Sequence, residues 1–179
     1  HSFLIIGSCI PKYHKYGVAM VRRDIHDELL TCAGEHPAIT LTGPRQAGKT
    51  TLARTAFPDH AYASFEQPLV REQFADDPLG FLQRHAQGAI FDEVQNAPDL
   101  LSYLQQEIDE DPTSGRFILT GSQHFALSER ISQSLAGRTA VLELLPFIID
   151  ELRRGDFLGE TLDEVLWHGA YPPVHDRSL

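Results

Sequence analysis

The chain has 179 residues, 42% hydrophobic and 22% charged, the composition of one globular domain with a real core and room for a fragment of a second. Its formal net charge of -10 argues against nonspecific nucleic-acid binding through the chain as a whole, although a local basic patch stays open. The two cysteines, Cys9 and Cys32, make neither a disulfide framework nor a CxxC zinc pair, and no apolar run reaches the roughly 18 residues that span a membrane, so reduced thiols in a cytoplasmic protein are expected.

Residues 1–21 read as a leader or non-native extension, with 1–19 expected upstream of the natural start. Their apolar stretch is only Phe3–Ile6, and no basic segment precedes it. The single methionine, Met20, directly precedes "VRRDIHDELL". A genuine N-terminal strand is the alternative. From Arg22 to Ala33 the residues Ile25, Leu29 and Leu30 recur at helical spacing, and Gly34 is a stop. Ala38–Thr42 is a short β-prone run ending at Gly43. Lys49–Ala56 has the composition of a helix closed by Pro58, and Ala61–Phe65 reads as a second strand. Gln67–Ala75 and Pro78–His85 read as two short helices separated by "DDP". Ala89–Glu93, "AIFDE", begins apolar and ends in two acids. Pro98–Asp109 predicts a helix with Pro in its first turn and Leu100, Leu101, Leu104 and Ile108 on one side. Arg116–Ser122 and Thr139–Leu144 are the last two expected strands. This alternation predicts an α/β fold with a mostly parallel sheet of about five strands, covered on both faces. The runs "AIF" and "FIL" fit strands buried on both sides.

Gly43-Pro44-Arg45-Gln46-Ala47-Gly48-Lys49-Thr50 matches G-x-x-x-x-G-K-[ST] in full, between an apolar strand and a helical segment. The two glycines let successive backbone N–H groups turn toward one anion, and the following helix adds its positive end. Lys49 can reach the β- and γ-phosphates of a nucleotide, and the Thr50 hydroxyl is the expected magnesium ligand. Thr51 closes the expected contact set, while Arg45 is expected to face solvent or a partner more than phosphate. A structural glycine-rich turn is the plain alternative, but it needs no Lys-Thr pair. Asp92 lies 43 residues after Lys49 (92 minus 49) at a strand tip, where it would hold magnesium through water. Glu93 would polarise the attacking water. In "ILTGSQ", Thr120, Ser122 or Gln123 could bond that water or the γ-phosphate, if this strand neighbours the acidic one; a simple turn at Gly121 is the alternative. Arg138, after Gly137, could supply charge to a γ-phosphate from its own subunit or a neighbour, or be a solvated or ion-paired arginine. The nine histidines show no H-x-x-x-H or H-E-x-x-H spacing, which leaves magnesium as the only expected metal. Trp167 and "GAYPP" read as packing and turn material.

Together these motifs resemble the AAA-family ATPases. The resemblance is strongest to a prokaryotic group of ATP-binding proteins in which "TGPRQAGKTTLAR", "FDEVQNAPDLL", "FILTGSQ", "SLAGRTAVLELLPF" and "GAYP" occur in this order. It covers roughly Arg22 to Pro173 and implies a three-layer α/β/α P-loop core. It further implies that Gly43–Thr50 binds ATP, that Asp92 and Glu93 are the magnesium and hydrolysis pair, that Ser122 lies near the sensor position, and that Arg138 belongs to a Gly-Arg pair. In that group a C-terminal domain of unknown function follows near "GAYP". Residues 22–150 are therefore expected to be an AAA-type P-loop ATPase domain and 151–179 the start of a truncated region. A sheet edge or helix face is expected to be exposed there.

The first functional expectation is hydrolysis of Mg-ATP. The second is a nucleotide-dependent switch with little turnover. A P-loop kinase is disfavoured because "PTSGR" is too short for an arginine-rich lid. The absence of N-K-x-D mildly favours ATP over GTP. An unidentified protein or DNA partner and a homo-oligomer stay open.

Overall fold

The computed structural model describes residues 21–122 and 134–175. The readings on residues 1–20, among them Cys9 and Met20, and on Gln123 lie outside the described residues. In chain order the elements are α1 (His26–Glu35), β1 (Ala38–Thr42), α2 (Lys49–Ala56), β2 (Ala61–Ser64), α3 (Pro68–Asp76), α4 (Pro78–Arg84) and β3 (Ala89–Asp92). A single 3-10 turn (Val94–Asn96) leads to α5 (Leu100–Glu110) and β4 (Phe117–Thr120). Then come β5 (Thr139–Glu143), α6 (Ile149–Arg154), α7 (Leu162–His168) and α8 (Pro172–His175).

The five strands form one parallel sheet in the order β2-β3-β4-β1-β5. Side chains alternate across a strand, and the two faces fill accordingly. Ile39, Leu41, Ile90 and Ile118 join Leu29 of α1 and Leu52 and Ala53 of α2 on one side. Ala89, Phe91, Phe117 and Leu119 join Phe74, Phe81, Leu101, Leu104 and Ile108 of α3, α4 and α5 on the other. The result is the expected three-layer α/β/α arrangement. On the second face Phe65 meets Phe74 edge-on at 5.7 Å between centroids, and Phe91 stacks on Phe117 at 5.9 Å. Burying each such phenyl group contributes about 1.5–3 kcal/mol.

Because every strand runs the same way, β1, β3 and β4 deliver their C-terminal residues to one edge of the sheet. The crevice at that edge is where open α/β sheets bind ligands. β4 lies between β1 and β3, with Ile118 in register with both Ile39 and Ile90. The expected adjacency of "ILTGSQ" to the acidic strand is therefore present.

Some boundaries shift for identifiable reasons. α1 starts at His26 rather than Arg22, because the Arg23 side chain is drawn inward to several partners. β3 stops at Asp92, because Glu93 takes a left-handed conformation with φ 56°. Beyond β5 the chain folds back on the domain. Glu151 and Leu152 of α6 are buried, the Phe147 N–H donates to the Ala170 carbonyl at 2.8 Å, and the Phe157 ring stacks on His175 at 4.9 Å. α7 carries no buried residue and Trp167 is 87% exposed, so Trp167 does not pack as expected.

Candidate active site

The loop between β1 and α2 is shaped by its glycines. Gly43 has φ 139°, and a Cβ there would lie 2.1 Å from the Leu144 carbonyl oxygen, so only glycine fits. Gly48 has φ 95° and opens directly into α2. Gln46 also adopts a left-handed conformation, with φ 64°. Arg45, Gln46 and Thr51 are exposed, Pro44, Gly48 and Thr50 partly so, and Gly43 and Ala47 are buried. Lys49 is buried at the start of α2, and its Nζ donates to the Gly43 carbonyl at 3.0 Å and the Pro44 carbonyl at 2.8 Å. Burial pulls the Lys49 ammonium below the usual lysine range, while Glu93 and Asp92 oppose that shift and Arg45 adds to it.

Opposite this loop stands Asp92, also buried. Its Oδ1 accepts from the Thr50 hydroxyl at 2.8 Å and from the Thr120 hydroxyl. Its Oδ2 accepts from the Tyr62 hydroxyl at 2.9 Å. Burial first, and then the bond to Asp92, push the Tyr62 phenol up to about 12. Glu93 donates its backbone N–H to Thr120 Oγ1 at 3.4 Å, and its carboxylate accepts from Gln95 Nε2. Lys49, Thr50, Asp92, Glu93 and Thr120 thus gather at one edge of the sheet.

Thr120 and Ser122 play distinct parts. The Thr120 hydroxyl is already engaged by Asp92 and the Glu93 amide. The Ser122 Oγ is buried with no hydrogen-bond partner among the described residues, a condition that costs about 1–3 kcal/mol until a partner arrives.

Arg138 stands apart from this group. It precedes β5, its carbonyl accepts from the Ala38 N–H at the start of β1, and its guanidinium forks onto Asp109 at 2.6 and 2.9 Å. The phosphate loop leaves the far end of β1, about 17 Å away for a five-residue strand. Of the two alternatives open for Arg138, its own subunit or a neighbour, this ion-paired arrangement keeps it away from the loop of its own chain. Its fork onto Asp109 holds that carboxyl below the usual range.

Sequence reasoning missed three supports. Tyr62 carries no motif that marks it, and Gln95 lies inside "FDEVQNAPDLL" with no role of its own read there. Arg23 is the third: it donates to the Ala47 carbonyl at 2.7 Å and the Leu145 carbonyl at 2.6 Å, lies 3.1 Å from Glu151, and covers the Phe147 ring at 4.8 Å. It braces the phosphate loop from behind. An unpaired buried arginine would be costly, so Glu151 accounts for its burial.

A family description, the AAA domain, matches residues 35–153. The chain belongs to the AAA domain family. The chain is 34% identical over 155 residues to uncharacterized proteins of Mycobacterium bovis and Mycobacterium tuberculosis, which covers 85% of the chain and 34% of each relative. It spans about a third of the length of these curated relatives. In fold it is similar to a Walker-type ATPase of Pyrococcus abyssi, with a TM-score of 0.62 at 17% identity, covering 92% of this chain and 67% of that one. Among the described residues, no helix of this AAA domain is long and apolar enough to cross a membrane.

Proposed function

We propose that this AAA-type P-loop ATPase domain binds Mg-ATP at Gly43–Thr50 and hydrolyses it to ADP and phosphate. The observation that carries the reading is the 2.8 Å bond from Thr50 to Asp92 beside the buried Lys49 ammonium. The donor set fits both groups. A threonine hydroxyl and an aspartate carboxylate are hard oxygen ligands suited to magnesium. The left-handed turns of the loop at Gln46 and Gly48, which point successive backbone amides one way, and the buried Ser122 Oγ suit a phosphate chain.

In this reading Lys49 exchanges its two carbonyl partners for phosphate oxygens, and the loop amides hold the remaining charge. Thr50 keeps its hydrogen on Asp92 and offers its lone pairs outward. Glu93 orients the attacking water and takes its proton. Ser122 donates to the terminal phosphate or to that water. Magnesium, if bound, would be held by Thr50 and Asp92 and would supply positive charge to offset the charge developing on the phosphate. Arg138 could add charge only to a neighbouring copy's site. A cytoplasmic location, with Cys32 as a thiol, and a protein or DNA partner belong to the same proposal.

The test is a nucleotide titration combined with a phosphate-release assay. Lys49→Ala is expected to abolish binding. Glu93→Gln should keep binding while release falls about a hundredfold or more. Release from Glu93→Gln at the parent rate would end the hydrolytic assignment.

One observation favours the switch reading. Gln95 holds the Glu93 carboxylate, which must be released before it can serve a water. Tight nucleotide binding with no steady-state release in the parent, and release that appears in Gln95→Leu, would select that reading.

A further inference from the structure

A carboxylate at a strand tip has a soft final torsion, and its plane is fixed only if both oxygens are held. In Asp92 the two threonine hydroxyls fall on the same oxygen, Oδ1. They anchor that atom but leave Oδ2 free to swing about it. The Tyr62 hydroxyl alone reaches Oδ2 among the hydrogen bonds described for Asp92, at 2.9 Å.

Tyr62 is placed for this by the fold. It lies on β2, which pairs with β3, and Ser64 rather than Tyr62 is in register with Asp92. The long phenol spans that two-residue offset along the strand. The Arg54 guanidinium of α2 covers its ring at 4.7 Å, so the helix that follows the phosphate loop also steadies the tyrosine. The tyrosine is partly exposed, at 37%, and no core packing requires it.

We propose that Tyr62 is a positioning residue for Asp92, setting through Oδ2 the plane in which this carboxylate meets a magnesium–nucleotide complex. The inference rests on the function proposed above and adds a residue to it. It specifies that the hydroxyl acts on the metal-dependent part of nucleotide affinity and leaves the metal-independent part alone. Lys49 and the loop amides supply the latter, and Tyr62 touches neither.

Tyr62→Phe separates these parts, because it removes the hydroxyl and retains the ring under Arg54. Equilibrium titration with a fluorescent ATP analogue, at graded Mg2+ and in EDTA, is the direct readout. The magnesium concentration for half-maximal tightening should rise about tenfold, the lower end of what losing a ligand's hydrogen-bond partner costs a metal site. Affinity in EDTA should stay within about twofold, less than any lost hydrogen bond to the ligand would cause. Melting temperature without ligand serves as the control for folding, and Arg54→Met, which frees the ring but keeps the hydroxyl, should give a smaller rise in the same direction. A magnesium requirement unchanged in Tyr62→Phe overturns the inference, as does an equal loss with and without the metal. A parent protein that binds nucleotide with no response to Mg2+ would instead remove the metal role of Asp92, and this inference with it.

Discussion

Three hydroxyls converge on Asp92, and a fourth, on Ser122, is left without a partner among the described residues. That difference makes two substitutions at the end of β4 behave oppositely. Thr120→Val strips a donor from a buried carboxylate and an acceptor from the Glu93 amide, and should destabilise the fold by about 1–3 kcal/mol in urea unfolding. Ser122→Ala removes a buried hydroxyl that has no partner among the described residues, so stability should rise. Phosphate release should nevertheless fall at least tenfold in Ser122→Ala; an unaltered rate would remove Ser122 from the reaction. The sequence could name both residues because polar side chains at an apolar strand's end stand out. It could not separate them, since what separates them is which one faces Asp92 across the neighbouring strand. Tyr62 was illegible for a related reason: an aromatic residue in a strand is ordinary, and only its reach across two residues of register makes it a partner of Asp92.

Elements were legible where their signal is local. The glycine spacing, the apolar runs and the one-sided leucines of α5 each report on their own few residues, and each element formed. The placement of β4 between β1 and β3 depends on how the chain crosses over, a property of packed helices and no single segment. The paired arginines before α1 show the same limit. Arg22 is exposed and bonded to Asp27 at 2.6 Å, whereas Arg23, its neighbour in sequence, is buried against Glu151 and the phosphate loop. Nothing in "VRRD" distinguishes them. The buried pair carries its own prediction. Glu151→Ala leaves Arg23 without its counter-charge and should cost about 3–5 kcal/mol, measured by denaturant unfolding. Arg23→Met combined with Glu151→Leu should recover much of that loss. It should still weaken nucleotide binding, because the Ala47 carbonyl then loses its brace. Full recovery of both quantities would show that the brace does not matter to the loop.

At the scale of the whole molecule, the phosphate loop and Arg138 occupy opposite ends of the sheet. One chain alone therefore cannot unite them. Arg138→Ala should leave turnover unchanged in dilute solution and affect it only at concentrations where the parent self-associates. A loss of the same size at every dilution would contradict the cross-subunit role. Its ion pair with Asp109 is exposed, so little change in melting temperature is expected. The Gly-Arg sequence was visible, but its distance from the loop was not, because a residue just before a strand and one just after it differ by the strand's full length.

The strand that separates β1 from β3 has a further consequence. Two ladder spacings put the backbones of the loop strand and the acid strand about 9.6 Å apart, and the 2.8 Å Thr50–Asp92 bond spans that separation at the head of α2. Under the function proposed above, the terminal phosphate of a triphosphate would lie beside Glu93, and a diphosphate would lack that group. Hydrogen exchange at Glu93–Gln95 should consequently slow with a non-hydrolysable triphosphate and far less with ADP, in which case this strand tip would report whether the last phosphate is still attached.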